Sequence, residues 1–491
     1  MQRRYLYKAI TLICCLLGAV FIYLFTKLKG VGISPDSVFY ISVAENIQTK
    51  GTLADFNGKP FIDFPAGYPA FIALFNFITH LSTLNWVHWI NMFLFGCLIF
   101  AAANYYQQSK NVTTVGLFIL LSLIITNPAL LEVYSMLWSE TVFLLLVMFF
   151  LLQLNRYHYK PTNKKFLVLI IITGLAAVCR YAGISLIGFG ALVLLFQKQN
   201  LKQRILNTSI FILGSSVLLV INLLRNHLVS TTITGLRKSA TENMAKHIER
   251  SAAVISEWFG IGSNNPTWLM LTGILFLLIL FVITIYFFKK YFLLAVLTGF
   301  SFFYTAFIII TASITKYEPI NNRLLSPIII CLYLIPIILL NQLMLNSNKK
   351  TKIAGIVIFL SLFIHIQYKN FTLNYETWDG VKDAGIPGYT EQMWDDMQVV
   401  QWLKTNKPLL QQKPLFANAN EAVYFFTSLP CTQLPQKEFD FQINKFLSAS
   451  TGYLIWLNEG DNPELISLDF ILQTKKMVLL HKFDEGAVYS W

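Results

Sequence analysis

The chain has 491 residues, of which 55% are hydrophobic and only 13% are charged, and its mean hydropathy is +0.56. This composition excludes an ordinary soluble globular protein and indicates a polytopic membrane protein. The formal net charge of +13 does not indicate nucleic-acid binding, because the basic residues stand in small groups between apolar runs. That distribution is typical of loops facing a cytoplasm and anionic lipid. Five of the six cysteines lie in apolar runs, so neither a disulfide framework nor a metal-type spacing is indicated.

Apolar runs of roughly 17–25 residues, long enough to cross a bilayer as helices, recur along the chain. The first run is expected to be an uncleaved helix, because no convincing small-residue cleavage motif precedes Lys27. The predicted spans are 9–27, 86–106, 112–128, 138–154, 166–179, 182–197, 205–224, 267–288, 291–312, 324–345 and 353–368. The sequence therefore predicts a polytopic α-helical membrane protein with about 11 spans and an upper limit of 13.

The lysines and arginines orient these spans. If the N-terminus is cytoplasmic and 66–83 does not span, every compact basic cluster falls on the cytoplasmic side. The residues on that side are Lys110; Arg156, Lys160, Lys164 and Lys165; Lys198, Lys202 and Arg204; Lys289 and Lys290; and Lys349, Lys350 and Lys352. A spanning 66–83 would invert all later loops, so this segment is expected to be a re-entrant or interfacial helix on the outer face.

The same parity predicts two domains. Residues 1–368 form a transmembrane module whose outer parts include loop 28–64 and segment 227–265, and residues 369–491 form a soluble extracytoplasmic domain. This tail is long enough for a small core of its own. Its predicted elements are helix 391–404, strand 414–418, helix 421–427, strand 453–457, and strands 477–481 and 487–491. Their order favours an α/β domain.

Loop 28–64 is the first sizeable polar interval of the chain, and it carries four acids: Asp36, Glu45, Asp55 and Asp63. Acids at a membrane edge are costly unless they serve a site or reach water. Other acids and isolated arginines at span edges fall on the same outer side. This convergence predicts an active site at the outer membrane–water boundary.

Four segments resemble the GT-C superfamily of integral-membrane glycosyltransferases, in particular the protein mannosyltransferases and lipid A aminoarabinose transferases. The segments are Ser34–Ile47 with Gly51, Phe64–Leu74, Trp138–Leu144 and Asn322–Pro327. They look like that family's first outer loop, its Pro-rich helix start, its Ser-Glu-type span start and its Arg-Tyr-Leu-Leu-Pro segment. One position departs from the mannosyltransferases, which carry an Asp-Glu pair, because Ser37 follows Asp36 here.

The resemblance implies transfer of a sugar from a polyprenyl-phosphate carrier to a lipid, glycan or protein acceptor on the outer face, with inversion. No cofactor is implied with certainty. A divalent metal stays open, although the departure at Ser37 argues against a metal-binding or two-carboxylate role. No nucleic-acid partner is expected. The residue chemistry fits this activity, since a carboxylate can take the acceptor's proton and guanidinium groups can stabilise the leaving phosphate.

The candidate site residues follow from the resemblance and from their outward position. The candidates are Asp36 and Glu140 as catalytic residues, and Glu45, Tyr68, Arg180, Lys316, Tyr317 and Arg323 as substrate-binding residues. Each has a simpler explanation. Asp36 suits a helix N-cap, Glu45 a solvated face and Glu140 the helix dipole, while arginines at span ends can reach lipid headgroups. Trp138 and Trp258 suit either sugar stacking or an interfacial belt.

Two other functions stay open. A lipid or polysaccharide transporter or flippase is an equally natural role for a basic protein with many spans. Paired halves and midplane charges, which favour a transporter, are not apparent in the sequence. The other alternative is a GT-C-like scaffold without activity.

Overall fold

The computed structural model describes residues 2–316, 318–346, 348–460 and 462–491, with side chains outside 2–4 and 343–346. The helices as far as residue 258 are α1 (Gln2–Thr26), α2 (Pro35–Lys50), α3 (Gly67–Thr79), α4 (Thr83–Gln107), α5 (Thr114–Ile125), α6 (Pro128–Ser135), α7 (Glu140–Tyr159), α8 (Asn163–Cys179), α9 (Ile184–Leu195), α10 (Leu201–Val229) and α11 (Met244–Trp258). The later helices are α12 (Pro266–Phe288), α13 (Phe292–Ile314), α14 (Asn322–Leu325), α15 (Ile329–Asn346), α16 (Lys349–Ala384), α17 (Gln392–Asp396), α18 (Gln398–Thr405), α19 (Lys407–Leu410), α20 (Asn420–Thr427), α21 (Asp440–Leu447) and α22 (Leu468–Thr474). The strands are β1 (Leu415–Ala417), β2 (Cys431–Gln433), β3 (Tyr453–Leu457), β4 (Val478–Phe483) and β5 (Gly486–Ser490).

The predicted class, a polytopic helical membrane protein with a small C-terminal sheet, is confirmed. Within the described residues, 8 helices are long and apolar enough to cross a membrane, or up to 9 if one bent pair counts as a span. These are α1, α4, α7, α10, α12, α13, the stretch Asn322–Gln342 and α16, with α5 and α6 as the bent pair. The predicted number of about 11 spans stays a prediction.

The bend between α5 and α6 interrupts the predicted span 112–128. The two helices meet at 52° because Asn127 caps a new helix, its Oδ1 accepting from the Leu130 amide at 2.9 Å, and Pro128 is its first residue. Helix α3 has 13 residues and is about 20 Å long, which is less than the roughly 30 Å of a bilayer core. The predicted interfacial placement of 66–83 stays a prediction.

The chain divides into two compact units, which differ from the predicted domains. The first unit comprises Met1–Phe25, Ile62–Tyr68 and Trp86–Gly380, and the second comprises Thr26–Phe61, Pro69–Asn85 and Val381–Trp491. Most of the first outer loop therefore belongs to the same unit as the C-terminal sheet. Helix α16 continues past the predicted boundary at 368 to Ala384. The assignment of domains 1–368 and 369–491 itself stays a prediction.

In the first unit, α7, α13 and the stretch that contains α15 are largely buried, whereas α12 and α16 expose most of their side chains. Many of the exposed residues of α12 and α16 are large and apolar. This distribution suits helices that face lipid and surround a protein core. Close helix pairs within the unit include α8 with α10, α7 with α8, and α12 with α13.

The second unit contains a five-stranded sheet in the order β2-β1-β3-β5-β4. Strand β1 runs parallel to β2 and β3, and β5 runs antiparallel to β3 and β4. A core of leucine, isoleucine and phenylalanine residues lies on one face of the sheet. The predicted strands correspond to β1, β3, β4 and β5. The predicted helix 391–404 is instead two helices, α17 and α18, because the backbone is extended at Met397.

Candidate active site

A buried carboxylate in the first unit lies between two guanidinium groups. Glu140, the first residue of α7, is 1% exposed, and its Oε1 forms ion pairs with Arg180 and Arg323. The two arginine side chains are 17% and 12% exposed, so the cluster is largely withdrawn from solvent. A buried charge is tolerated only when it is paired, and here one carboxylate has two cationic partners. The three buried groups together carry one net positive charge.

Arg180 is fixed at the end of α8. It is the C-cap residue of α8 and has extended backbone angles, which end the helix before the short turn Tyr181–Gly183. Its Nη1 donates to Ser139 Oγ at 2.9 Å, and Ser139 Oγ donates to Glu140 Oε2 at 3.3 Å. Arg180 is thus connected to both carboxylate oxygens, to Oε1 directly and to Oε2 through Ser139.

Arg323 is fixed by the short helix α14. Asn321 caps this helix by accepting from the Leu324 amide at 3.1 Å, and Tyr304 donates its hydroxyl to the Leu324 carbonyl at 3.1 Å. The guanidinium carbon of Arg323 lies 4.6 Å from the centre of the Trp138 ring. Stacking on an aromatic face orients the planar group and strengthens its placement.

Tyr68 joins the same cluster through a close approach of backbone. A β-carbon at Gly67 would lie 2.5 Å from the Val178 carbonyl oxygen, so only glycine allows α3 to begin against the end of α8. Tyr68 is consequently buried, hydrogen-bonds Thr141 and interacts electrostatically with Glu140 and Arg323. The structure thus brings together four residues that were predicted separately as site residues: Tyr68, Glu140, Arg180 and Arg323.

The edge of this cluster is acidic. Glu318, whose side chain is 44% exposed, places Oε1 3.8 Å from Arg323 Nη1. Glu132 of α6 also interacts electrostatically with Arg323 and Glu318. Two arginines that pair with a buried acid can also bind an anion such as a phosphate. The anion can replace Glu318 beside Arg323, and Glu318 or Glu132 can help to bind a polar partner.

Lys316 follows the end of α13, the helix that ends at Ile314. The Lys316 amide donates to the Lys238 carbonyl at 2.9 Å, next to an isolated bridge between Ser239 and Thr315. Lys316 is thus part of a backbone connection between segment 227–265 and the end of α13. The neighbouring candidate Tyr317 lies outside the described residues.

Asp36 lies in the second unit, in the first turn of α2, but the N-cap role belongs to another residue. Ser34 is the N-cap, its amide donates to Ser37 Oγ at 3.1 Å, and the two hydroxyls are 3.0 Å apart. Helix α2 ends at Gly51, whose φ of +65° is the left-handed conformation usual after a helix. The simpler explanation of Asp36 as a helix cap is therefore not needed for α2.

Glu45 and Asp55 have structural partners in the second unit. Glu45 hydrogen-bonds the Tyr424 hydroxyl of α20, and Phe56 stacks on the Tyr424 ring at 4.4 Å. Asp55 Oδ1 accepts from the Asn57 and Lys59 amides at 2.8 and 2.9 Å, which closes a tight turn. These contacts attach loop 28–64 to α20 of the second unit.

Neither a protein-family model nor a curated protein sequence matches this chain. Solved structures do match it. ArnT from Cupriavidus metallidurans, solved in the apo state and bound to undecaprenyl phosphate, aligns over 100% of this chain and 98% of its own, with 11% identity and a TM-score of 0.57. The archaeal oligosaccharyltransferase AglB from Archaeoglobus fulgidus, in complex with an inhibitory peptide and a dolichol-phosphate, aligns over 93% of this chain and 70% of its own, with 11% identity and a TM-score of 0.55.

Both neighbours are GT-C glycosyltransferases. The chain has the GT-C fold. The resemblance inferred from four short motifs is thereby confirmed at the level of the fold. Because the similarity extends along the whole chain, it includes the C-terminal unit as well as the apolar helices.

One acid in the second unit was not predicted from the sequence. Glu421, in the first turn of α20, is 8% exposed, and burial followed by the nearby Asp36 raises its pKa to about 7. Its sequence context, Ala-Asn-Glu-Ala-Val-Tyr, predicts only a helix with an acid near its N-terminus. The signal that identifies it is spatial, since it depends on the packing of α2 against α20.

Proposed function

We propose that this protein is a membrane glycosyltransferase that moves a sugar from a polyprenyl-phosphate carrier to an acceptor, with inversion. The acceptor is a lipid, a glycan or a protein on the outer face. The N-terminus is cytoplasmic, and the C-terminal domain is extracytoplasmic. The GT-C fold alone would leave many activities open. The observation that carries the proposal is the buried Glu140–Arg180–Arg323 cluster within that fold.

The cluster suits the leaving group of this reaction. When the bond between the anomeric carbon and the carrier phosphate breaks, its electron pair remains on the phosphate and increases the negative charge there. Guanidinium groups already held in place stabilise such charge without reorganising. Glu140 keeps both arginines oriented, and their guanidinium groups can donate hydrogen bonds to an anionic donor.

Asp36 keeps the role of general base that its motif suggested. The acceptor hydroxyl forms a new bond to the anomeric carbon and gives its proton to the Asp36 carboxylate. Asp36 lies in the first turn of α2, and Ser34 is the N-cap residue of that helix. Among the described residues, no group of three or more His, Cys, Asp or Glu side chains is placed to hold a metal ion, and no step is assigned to one.

The proposal is tested by the binding of undecaprenyl phosphate to the purified full chain. Lysine keeps the charge but loses the planar fork of arginine, so Arg180→Lys and Arg323→Lys should each weaken binding by roughly 1–3 kcal/mol, or about 5- to 150-fold. The matched control is Arg250→Lys, because Arg250 forms its ion pair with a different acid, Glu242 of segment 227–265. It should bind the lipid as the wild type does.

Thermal stability of each variant separates loss of the ligand site from loss of the fold. Folded Arg180→Lys and Arg323→Lys proteins that bind undecaprenyl phosphate with wild-type affinity would contradict the phosphate role. Transfer from a purified polyprenyl-phosphate sugar to an outer-face acceptor is the corresponding measurement of activity. Absence of transfer despite lipid binding would favour a GT-C scaffold or a lipid transporter.

A further inference from the structure

We infer that Trp258, the last residue of α11, is a positioning residue for Arg323: its indole N–H fixes the short helix α14, which carries this arginine. Trp258 Nε1 donates to Asn322 Oδ1 at 2.8 Å, and Asn322 directly precedes Arg323 in the chain. The inference deepens the proposed function and rests on it for the role of Arg323 in binding the carrier phosphate. It gives segment 227–265, to which α11 belongs, a part in the phosphate site.

The burial of Trp258 favours this role over the two that its sequence position suggested. The residue is 4% exposed, so its ring neither lies in an interfacial belt nor offers an open face to a sugar. A buried indole N–H needs an acceptor, and Asn322 supplies one. Because the indole nitrogen can only donate, the atom that faces it must be the oxygen of the Asn322 amide. The orientation of that amide is therefore determined by its partner.

Helix α14 depends on such contacts because it has only four residues. Just after the helix, Ser326 Oγ donates to the Arg323 carbonyl at 2.9 Å. At its start, Trp258 binds the side chain of Asn322. The backbone of Arg323 is therefore fixed on both sides, and its guanidinium group reaches Glu140 from a defined position.

Trp258 is itself fixed by a buried network. The Tyr333 hydroxyl donates to the Trp258 carbonyl at 3.3 Å and accepts from Asn127 Nδ2 at 2.8 Å. Asn127 and Tyr333 are both buried, and Asn127 Oδ1 accepts from the Leu130 amide, which determines the orientation of the Asn127 side chain. The network thus connects the bend between α5 and α6, the end of α11 and the start of α14.

This connection has a consequence for the proposed phosphate site. A guanidinium group binds two phosphate oxygens only when its plane is correctly placed, so a small movement of α14 would weaken the contact made by Arg323. Arg180 is fixed separately at the end of α8. Loss of the indole donor should therefore act on Arg323 and not on Arg180. Trp258 exchanges no atoms with the substrate, which makes it a positioning residue.

The first test measures the placement of Arg323 without a ligand. In the detergent-solubilised full chain with isotope-labelled arginine, NMR measures exchange of the Arg323 Nε proton with water, and the signal is assigned by its loss in Arg323→Lys. The ion pair with buried Glu140 should make this exchange slow. Trp258→Phe removes the donor but keeps an aromatic ring, and Asn322→Leu removes the acceptor, so each should speed the exchange roughly 2- to 13-fold. The matched control is Trp268→Phe, which alters a 58% exposed residue of α12 and should leave the exchange unchanged.

The second test asks whether the effect reaches the phosphate site. Trp258→Phe should weaken binding of undecaprenyl phosphate roughly 2- to 13-fold, the effect of one lost hydrogen bond. The same substitution should change binding much less in Arg323→Lys protein, but by its full factor in Arg180→Lys protein. Coupling to one arginine and not to the other separates a positioning role from a general loss of structure.

Two results would overturn the inference. One is wild-type exchange of the Arg323 Nε proton in folded Trp258→Phe and Asn322→Leu proteins. The other is an equal effect of Trp258→Phe on lipid binding in the presence of Arg323 and of lysine at that position. If exchange changes as expected but the wild-type chain does not bind undecaprenyl phosphate, the proposed function is refuted and the positioning of Arg323 by Trp258 is supported.

Discussion

Replacing Glu421 by glutamine should change how stability depends on pH. Burial and then Asp36 raise the pKa of Glu421 from 4.5 to about 7, a difference of about 2.5 pH units. The folded state therefore holds the proton more tightly than the unfolded state, and stability falls as pH rises from about 4.5 through 7. At 1.36 kcal/mol per unit, the loss approaches about 3 kcal/mol and levels off above pH 7.

Glutamine keeps the size and polarity of the side chain but has no proton to lose. Relative to wild type, Glu421→Gln should therefore gain up to about 3 kcal/mol of stability between about pH 4.5 and 8. Hydrogen exchange of the α20 amides in the full chain, corrected for intrinsic exchange rates at each pH, measures the local opening free energy. Parallel pH dependence in wild type and variant would refute the reasoning, since all other titrating groups are shared.

Two further predictions concern catalysis and orientation. Asp36→Asn should lower turnover about 100-fold or more, because it removes the base. Fold and donor affinity should change little, since Ser34 still caps α2. Steady-state kinetics with a lipid-linked sugar would measure this, and wild-type turnover would exclude Asp36 as the base. A cysteine at Ala240 should be labelled from outside the intact cell and one at Lys350 only after permeabilisation, as the positive-inside distribution requires; labelling of both from the same side would contradict the orientation.

Local features of the fold could be predicted from the sequence. Apolar length and composition identified the membrane class. Four of the five strands were predicted. Strand β2 was missed because two of its three residues, Thr432 and Gln433, are polar, whereas the equally short β1 consists of Leu-Phe-Ala. The bend after α5 was missed because apolar length was given more weight than the Asn-Pro start signal at Asn127.

The site could be predicted only in part, since its contacts join distant parts of the chain. Each of Glu140, Arg180 and Arg323 was identified by its position at a span edge, yet nothing in the sequence indicates that one carboxylate pairs with both arginines. Tyr68 was identified by resemblance alone. Its place beside Glu140 depends on the close approach of Gly67 to Val178, which is a property of packing. Glu45, in turn, was identified as substrate-binding and has a partner in Tyr424.

The structure of the second unit explains why a serine, Ser37, can follow Asp36 where the mannosyltransferases have an acid. Protein mannosyltransferases, which this loop resembles, carry an acid directly after the aspartate, whereas Ser37 is buried and its hydroxyl accepts from the Ser34 amide at the start of α2. An acid at this position would have to leave that bond and place a charge in a buried environment. The acid that interacts electrostatically with Asp36 is instead Glu421 of α20, and burial followed by Asp36 raises the pKa of Glu421 to about 7. An acid next to Asp36 in the sequence would act on it whatever the packing of α2. Glu421 acts on Asp36 only while α2 packs against α20, so this electrostatic interaction depends on the integrity of the second unit.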